Sequence, residues 1–176
     1  MYQATVQVPA IVAGPGVPKG KSVSDNVALF DFGPTILEWA GIDVPDWMEA
    51  QSLSPYFRGE DPKRSKVFAE HSNDALLTGT RLMTMLLDEK MKLVHFVDSD
   101  DGQLFDLASD PTEEVNLWDD PEFAKTKAHM IDEILKWRSE SALKTQGFVD
   151  ACVRGAHAMM SPPLHMSRGQ HREGSR

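Results

Sequence analysis

From Asp120 to Trp137 the sequence reads as one amphipathic helix, and that helix dictates what must surround it. Asp120-Pro121-Glu122 supplies an acidic cap, a proline at the first helical position and an acid in the first turn. Phe123, Met130, Ile134 and Trp137 then recur at helical spacing, with Ile131 and Leu135 beside them. Asp132 and Lys136 are spaced to pair one turn apart. An apolar helix face has to be buried, and the residues before it offer short strands. Val67-Phe68-Ala69 is one strand. Residues 84–87 and 92–96 form a hairpin through Asp88-Glu89-Lys90, and residues 103–107 follow the turn Asp100-Asp101-Gly102. The second half is therefore an α+β unit, an antiparallel sheet of about four strands packed by one long helix.

The first half is less complete. Residues 6–13 are short and apolar, run into Gly14-Pro15-Gly16, and carry Pro9, which suits a strand start or a sheet edge. Asp31-Phe32-Gly33-Pro34 opens a helix, with Asp31 as the cap of its free amides. Ile36, Leu37, Trp39 and Ala40 give that helix an apolar face, and Gly41 ends it as a left-handed cap. Residues 43–66 are rich in turn formers. One strand and one helix do not make a domain, so this half reads as part of something larger.

Charge and cysteine usage exclude several functions. The 176 residues carry 18 Lys and Arg against 27 Asp and Glu, a formal net charge of −9. That balance argues against nucleic acid or an anionic membrane surface as partner. No apolar run approaches the roughly 20 residues that span a bilayer. Residues 1–12 lack the basic start and cleavage site of a secretory signal, which favours the cytoplasm slightly and leaves the compartment open. Residues 154–176 hold four arginines and one acid, about +3, leaving about −12 on the remainder. With Pro162-Pro163 and three histidines, residues 148–176 read as a basic, mobile tail that could serve as an oligomerisation arm. The single cysteine, Cys152, forbids an intrachain disulfide, and no partner base stands near it in the stretch Asp150-Ala151-Cys152-Val153-Arg154.

Several motifs resemble reactive sites and miss. Gly14 to Ser22, G-P-G-V-P-K-G-K-S, follows an apolar run as a phosphate loop would, but Pro15 stands where that loop needs its first glycine. Pro15 and Pro18 also have no N–H to offer a phosphate. Asp98, Asp100 and Asp101 with Gly102 suggest a calcium loop, yet counting from Asp98 the glycine falls one position early, and a solvated hairpin turn accounts for them. His71, in Glu70-His71-Ser72-Asn73 just past a strand, occupies a position where substrate-facing residues often lie. No stretch assembles a nucleophile, a base and an electrophilic centre.

Taken in series, five stretches resemble one family. Residues 8–16, Val-Pro-Ala-Ile-Val-Ala-Gly-Pro-Gly, are similar to the "VPLIVxGPG" strand and turn of sulfatases. Residues 27–42, VALFDFGPTILEWAGI, are similar to their "VSLVDLAPTLLDLAGI" helix, and Gln51-Ser52-Leu53-Ser54-Pro55 to the end of "DGxSLLP". Lys92-Leu93-Val94 resembles the "RYKLI" strand. Gly102-Gln103-Leu104-Phe105-Asp106-Leu107, Asp110-Pro111, Glu114 and Asn116-Leu117 resemble "GELYDLxxDPxExxNL". Order and spacing hold from about Tyr2 to Trp137. There are departures: Gln3 stands where glutamate is usual, Gln7 and Leu87 where arginine is usual, and Ala50 where glycine is usual.

The resemblance implies the C-terminal portion of an arylsulfatase- or choline-sulfatase-like hydrolase of the alkaline phosphatase superfamily. It implies that residues 1–66 are a remnant of the large α/β domain, contributing an edge strand and a helix. Residues 67–147 are then the small antiparallel sheet and helix, and 148–176 the tail. The family's sulfate-ester chemistry needs a formylglycine made from C/S-x-P-S-R and a divalent metal, usually calcium. Neither the motif nor a metal-ligand set is visible in this sequence, so no cofactor is assigned to the chain itself. Tyr2 and Gln3 should lie nearest the missing centre, with His71 and Asn73 reaching it from the small domain. The chain alone should be inactive. Its partner should be the missing N-terminal domain, or a second copy held through exposed apolar surface or through the tail. The other readings are a non-catalytic binding or oligomerisation module, and a nucleotide-binding protein using Gly14 to Ser22.

Overall fold

The computed structural model of the chain describes residues 1–72 and 80–160, without the side chains of residue 151 and residues 154–160. Four strands, β1 (Lys66–Ser72), β2 (Leu82–Asp88), β3 (Met91–Phe96) and β4 (Gly102–Asp106), form one antiparallel sheet in sequential order. Helices α1 (Gln3–Val6), α2 (Phe32–Trp39) and α3 (Ser54–Phe57) precede and join it, and α4 (Ala124–Met160) follows. A 3-10 turn, Pro121–Phe123, leads into α4, with the Asp120 carboxylate accepting the Glu122 N–H (2.9 Å) as a cap.

The period of two along each strand sorts the side chains onto two faces. Phe68, Leu86, Leu93 and Leu104 point to α4, where Met130 and Ile134 meet them. Full burial of each such side chain contributes roughly 1.5–3 kcal/mol. Trp137 stacks on Phe68 with ring centroids 4.6 Å apart. Polar contacts fix the helix on the sheet: Lys66 reaches Glu133 (2.6 Å), and Arg138 binds Glu70 and the buried Thr84 hydroxyl. Met83, Met85 and Val94 occupy the opposite face, packed by Met1 and Val6 from the start of the chain. The expected pairing of Asp132 with Lys136 is present at 2.7 Å.

Residues 110–117 close the free edge of β4. The Asp110 carboxylate gathers the N–H groups of Glu114 (3.1 Å) and Val115 (2.9 Å), and these bonds hold its pKa below the usual carboxylate value. Asn116 then mimics a strand. Its Oδ1 accepts the Leu104 N–H (2.9 Å) and its Nδ2 donates to the Gly102 carbonyl (3.0 Å), while Leu117 N–H bonds the Leu104 carbonyl (2.8 Å). Trp118 lies flat over Gly102, where a Cβ would come within 2.4 Å of the indole. Glycine is required here by close approach.

The segment 25–65 is knit by two aspartates. The fully buried Asp31 accepts from the N–H groups of Ala28 (2.8 Å) and Gln51 (2.9 Å) and from Arg64 (2.8 Å). Thr35, also fully buried, donates to the Asp31 carbonyl and accepts from Leu53 N–H (2.8 Å). The Asp25 carboxylate accepts from the Tyr56 hydroxyl (2.8 Å) and Arg64 N–H (2.9 Å), which lowers its pKa. Asp31 therefore sits at the start of α2 without capping that helix. Its oxygens serve an incoming loop and a cation instead. Gly41 (φ 69°) does end α2 as a left-handed cap, with Ile42 N–H on the Leu37 carbonyl and Gly41 N–H on that of Glu38.

Two expectations change. Residues 6–13 form no strand; α1 ends at Val6 and the rest is irregular, with Ile11 92% exposed. A strand is stable only with a ladder partner, and none of the four strands lies beside this segment. Residues 148–160, expected to be tail, continue α4 as helix, and Gly147 causes no break. Residues 161–176 lie outside the described residues.

On the second sheet face Lys92 has no exposed surface, and its ammonium bonds the Glu113 carboxylate. Replacing Glu113 by leucine alone should destabilise the chain by about 3–5 kcal/mol, because it strands a buried ammonium. The double change Lys92→Met with Glu113→Leu should recover much of that loss. Urea denaturation of the wild type, of Lys92→Met and Glu113→Leu singly and of the double variant measures the coupling, and additive effects would refute it.

Candidate functional site

Where the chain first meets the sheet, four polar groups and an aromatic ring come together. Glu113 is the centre. It is buried, and its backbone adopts the left-handed conformation (φ 58°), which a non-glycine residue takes only when its surroundings enforce it. One carboxylate oxygen receives Lys92, the second residue of β3. The other accepts the N–H of Gln3 (2.6 Å), the first residue of α1. Burial pulls the Lys92 pKa down, and the Glu113 hydrogen bond opposes that pull. Beside this pair, Gln103 on β4 donates to the Tyr2 hydroxyl (3.2 Å), and the Tyr2 ring packs on Phe105 with centroids 6.0 Å apart. Having accepted from Gln103, the Tyr2 hydroxyl keeps its own proton to donate outward. Gln103 Oε1 is buried with no partner among the described residues, a second unspent polar atom at the same spot.

The expected site residues are thus only partly assembled. Tyr2 and Gln3 stand together over β4, held by Gln103 and Glu113. His71 stands on the same sheet face but on the opposite edge strand, exposed and in register with Met83. Three strand spacings of about 4.8 Å separate it from β4, roughly 14 Å. Asn73 lies outside the described residues. Glu113, Lys92 and Gln103 are the groups that sequence reading overlooked. The signal was available for Lys92: a lysine alternating with Val94 and Phe96 on an inward face needs a buried acid. The spacing D-P-x-E counted from Asp110 puts that acid at Glu113, and not at Glu114, which is exposed.

Among the described residues, none is arranged to hold the metal or to form the formylglycine that the resemblance implies. Among the described residues no three His, Cys, Asp or Glu side chains converge as metal ligands would. The Asp98 carboxylate is committed to the Thr80 hydroxyl (2.6 Å) and the Arg81 N–H (3.1 Å). Cys152 is exposed on α4 in the sequence D-A-C-V-R, without the Pro-Ser-Arg that formylglycine formation needs. In the loop from Gly14 to Ser22, Lys21 donates to the Tyr56 carbonyl (2.9 Å). No helix among the described residues is long and apolar enough to cross a membrane.

Comparison with known proteins identifies this architecture. The family model described as N-sulphoglucosamine sulphohydrolase, C-terminal, matches residues 1–140. The chain is 32% identical to the Delta 4,5-hexuronate-2-O-sulfatase of Bacteroides thetaiotaomicron, over 96% of this chain and 36% of that protein. Among solved structures it resembles a 2-O GAG sulfatase (TM-score 0.64, 26% identity, 77% of this chain and 30% of the other). It also resembles a phosphonate monoester hydrolase from Silicibacter pomeroyi (TM-score 0.65, 26% identity, 73% and 28%). The chain spans little more than a third of the curated relative's length, and less of the solved ones. With most of its length matched in sequence and in fold, the chain belongs to the sulfatase family, as the C-terminal region of such a protein.

Proposed function

We propose that this chain is the C-terminal part of a sulfate-ester hydrolase, a positioning and closing unit that performs no turnover alone. The observation that carries this reading is the family match over residues 1–140, in a sequence without the C/S-x-P-S-R motif from which the family's nucleophile is made. In this reading residues 1–66 belong to the large domain and residues 67–147 to the small one. The formylglycine and the calcium ion come from the remainder of the enzyme. A divalent metal held by that remainder would supply Lewis-acid stabilisation of the sulfate group. This chain's own contribution is Tyr2 and Gln3, presented at the edge of β4 with the Tyr2 proton free to donate. His71 approaches from the far edge of the sheet.

The choice of substrate resides elsewhere. A similar region forms part of a phosphonate monoester hydrolase, which supports a small domain that does not itself select between sulfate and phosphonate esters. A nucleotide-binding role for Gly14 to Ser22 has no comparable support, since Lys21 is engaged by Tyr56.

The natural partner in this reading is the remaining hydrolase domain. A cleft of about 880 Å³ opens between the N-terminal segment and the sheet, lined by Val6, Val8, Ala10 and Val12 on one side and Val67, Ala69 and Met85 on the other. Leu29, Phe30, Ile36 and Trp39 are exposed on the adjoining surface. A patch of that kind marks an interface.

Assayed with an aryl sulfate ester and calcium, the purified chain should give no turnover. Activity above background that a chelator abolishes would overturn the inactivity. The chain should also bind a hydrophobic dye well above the level of a compact monomer of this size. Binding at the compact-monomer level would contradict the exposed interface.

A further inference from the structure

The inner side of α4 is used from Met130 to Phe148. Met130 and Ile134 enter the sheet core, and Trp137 stacks on Phe68. Ser141 donates to Glu49 (2.6 Å), and Phe148 meets the Trp47 ring with centroids 4.9 Å apart. At about 100° per residue these five positions share one side of the helix.

The other side carries its own pattern. Leu135, Ala142 and Val149 recur every seven residues, and Lys136, Leu143 and Asp150 form the adjoining row at the same interval. All six are exposed; Leu143 is 72% and Leu135 63% exposed. Apolar side chains repeating every seven residues along a helix make a seam that fits another helix.

The row Lys136, Leu143, Asp150 specifies which helix. It is antisymmetric in charge about Leu143, with a cation seven residues before and an anion seven residues after. Lay a second α4 antiparallel, with the two-fold axis at Leu143. Lys136 of each copy then faces Asp150 of the other, so the attraction is made twice. Leu143 meets its own counterpart. Leu135 comes beside Val149 of the second copy, offset by two residues or about 3 Å. Ala142 beside the axis lets the backbones approach. A parallel pairing in register would oppose Lys136 to Lys136 and Asp150 to Asp150. Lys136 already bridges Asp132 and Glu133 at the surface, and Asp150 is likewise engaged within its own chain; the three N–H donors of the ammonium and the four lone-pair sites of a carboxylate allow each a further partner.

The geometry points to an antiparallel, two-fold homodimer of this chain through the outer face of α4. Neither the hydrolase reading nor residues 161–176 are needed for it. Sedimentation velocity of the 176-residue chain across a micromolar concentration series tests it, with circular dichroism confirming that each variant is folded. The wild type should dimerise. Lys136→Glu and Asp150→Lys should each weaken association by roughly tenfold or more, since each reversal acts at two symmetric contacts. The swap Lys136→Asp with Asp150→Lys should restore the dimer, and Leu143→Asp should abolish it. A wild type that stays monomeric throughout would overturn the proposal. So would a dimer that survives the single reversals, as one built on the apolar N-terminal surface would, or a swap that fails to restore association.

Discussion

A lysine with no exposed surface cannot be left alone, because an isolated buried ammonium costs several kcal/mol. Lys92 sits near the start of β3, on the face that α4 does not cover, and Glu113 is the group that makes this tolerable. To reach it, the chain after β4 has to turn back along the sheet edge and hold Glu113 in a left-handed conformation. The same turn presents Asn116 and Leu117 to β4. The second oxygen of Glu113 holds the N–H of Gln3, so the first helix docks against the sheet on the strength of the same carboxylate. Three parts of the chain far apart in sequence, residues 3, 92 and 113, are bound by one ion pair.

The first third of the chain obeys a different logic. Its organisation is polar, with Asp25 and Asp31 collecting backbone amides, Tyr56 and Arg64. The Tyr56 hydroxyl is correspondingly reluctant to ionise, with burial as the main cause and the Asp25 carboxylate adding to it. Such a network fixes the loops against one another and leaves Leu29, Ile36 and Trp39 facing outward. The segment is thus ordered internally by hydrogen bonds and apolar on part of its outer surface.

The sheet and helix were legible in sequence because each obeys a local rule. Alternation gave the hairpin of β2 and β3, and the three-to-four spacing gave α4 from Phe123 onward. Asp120 and Gly41 announced their caps through residue type alone. What could not be read depends on distant partners. Residues 6–13 have strand composition, but a strand is defined by its neighbour. Asp31 has the residue type and position of a helix cap, yet Gln51 and Arg64 compete for its oxygens and win. Tyr2 and Gln3 are held over β4 by Gln103 and Glu113, whereas His71 lies on the other edge strand of the sheet. The continuation of α4 to Met160 was obscured by glycines at 147 and 155, whose propensity cost of about 1 kcal/mol each is too small to end a helix already anchored by its inner face.

The carboxamide of Asn116 has an effect beyond the bonds it makes. A sheet edge is a template on which any passing strand can add. By occupying the donor of Leu104 and the acceptor of Gly102, Asn116 terminates the ladder with a side chain that has no further backbone to offer. Growth of this sheet is thereby made directional. Strand addition, whether by a domain partner or by a misfolded copy, is blocked at β4 and confined to β1, the edge that borders the cleft.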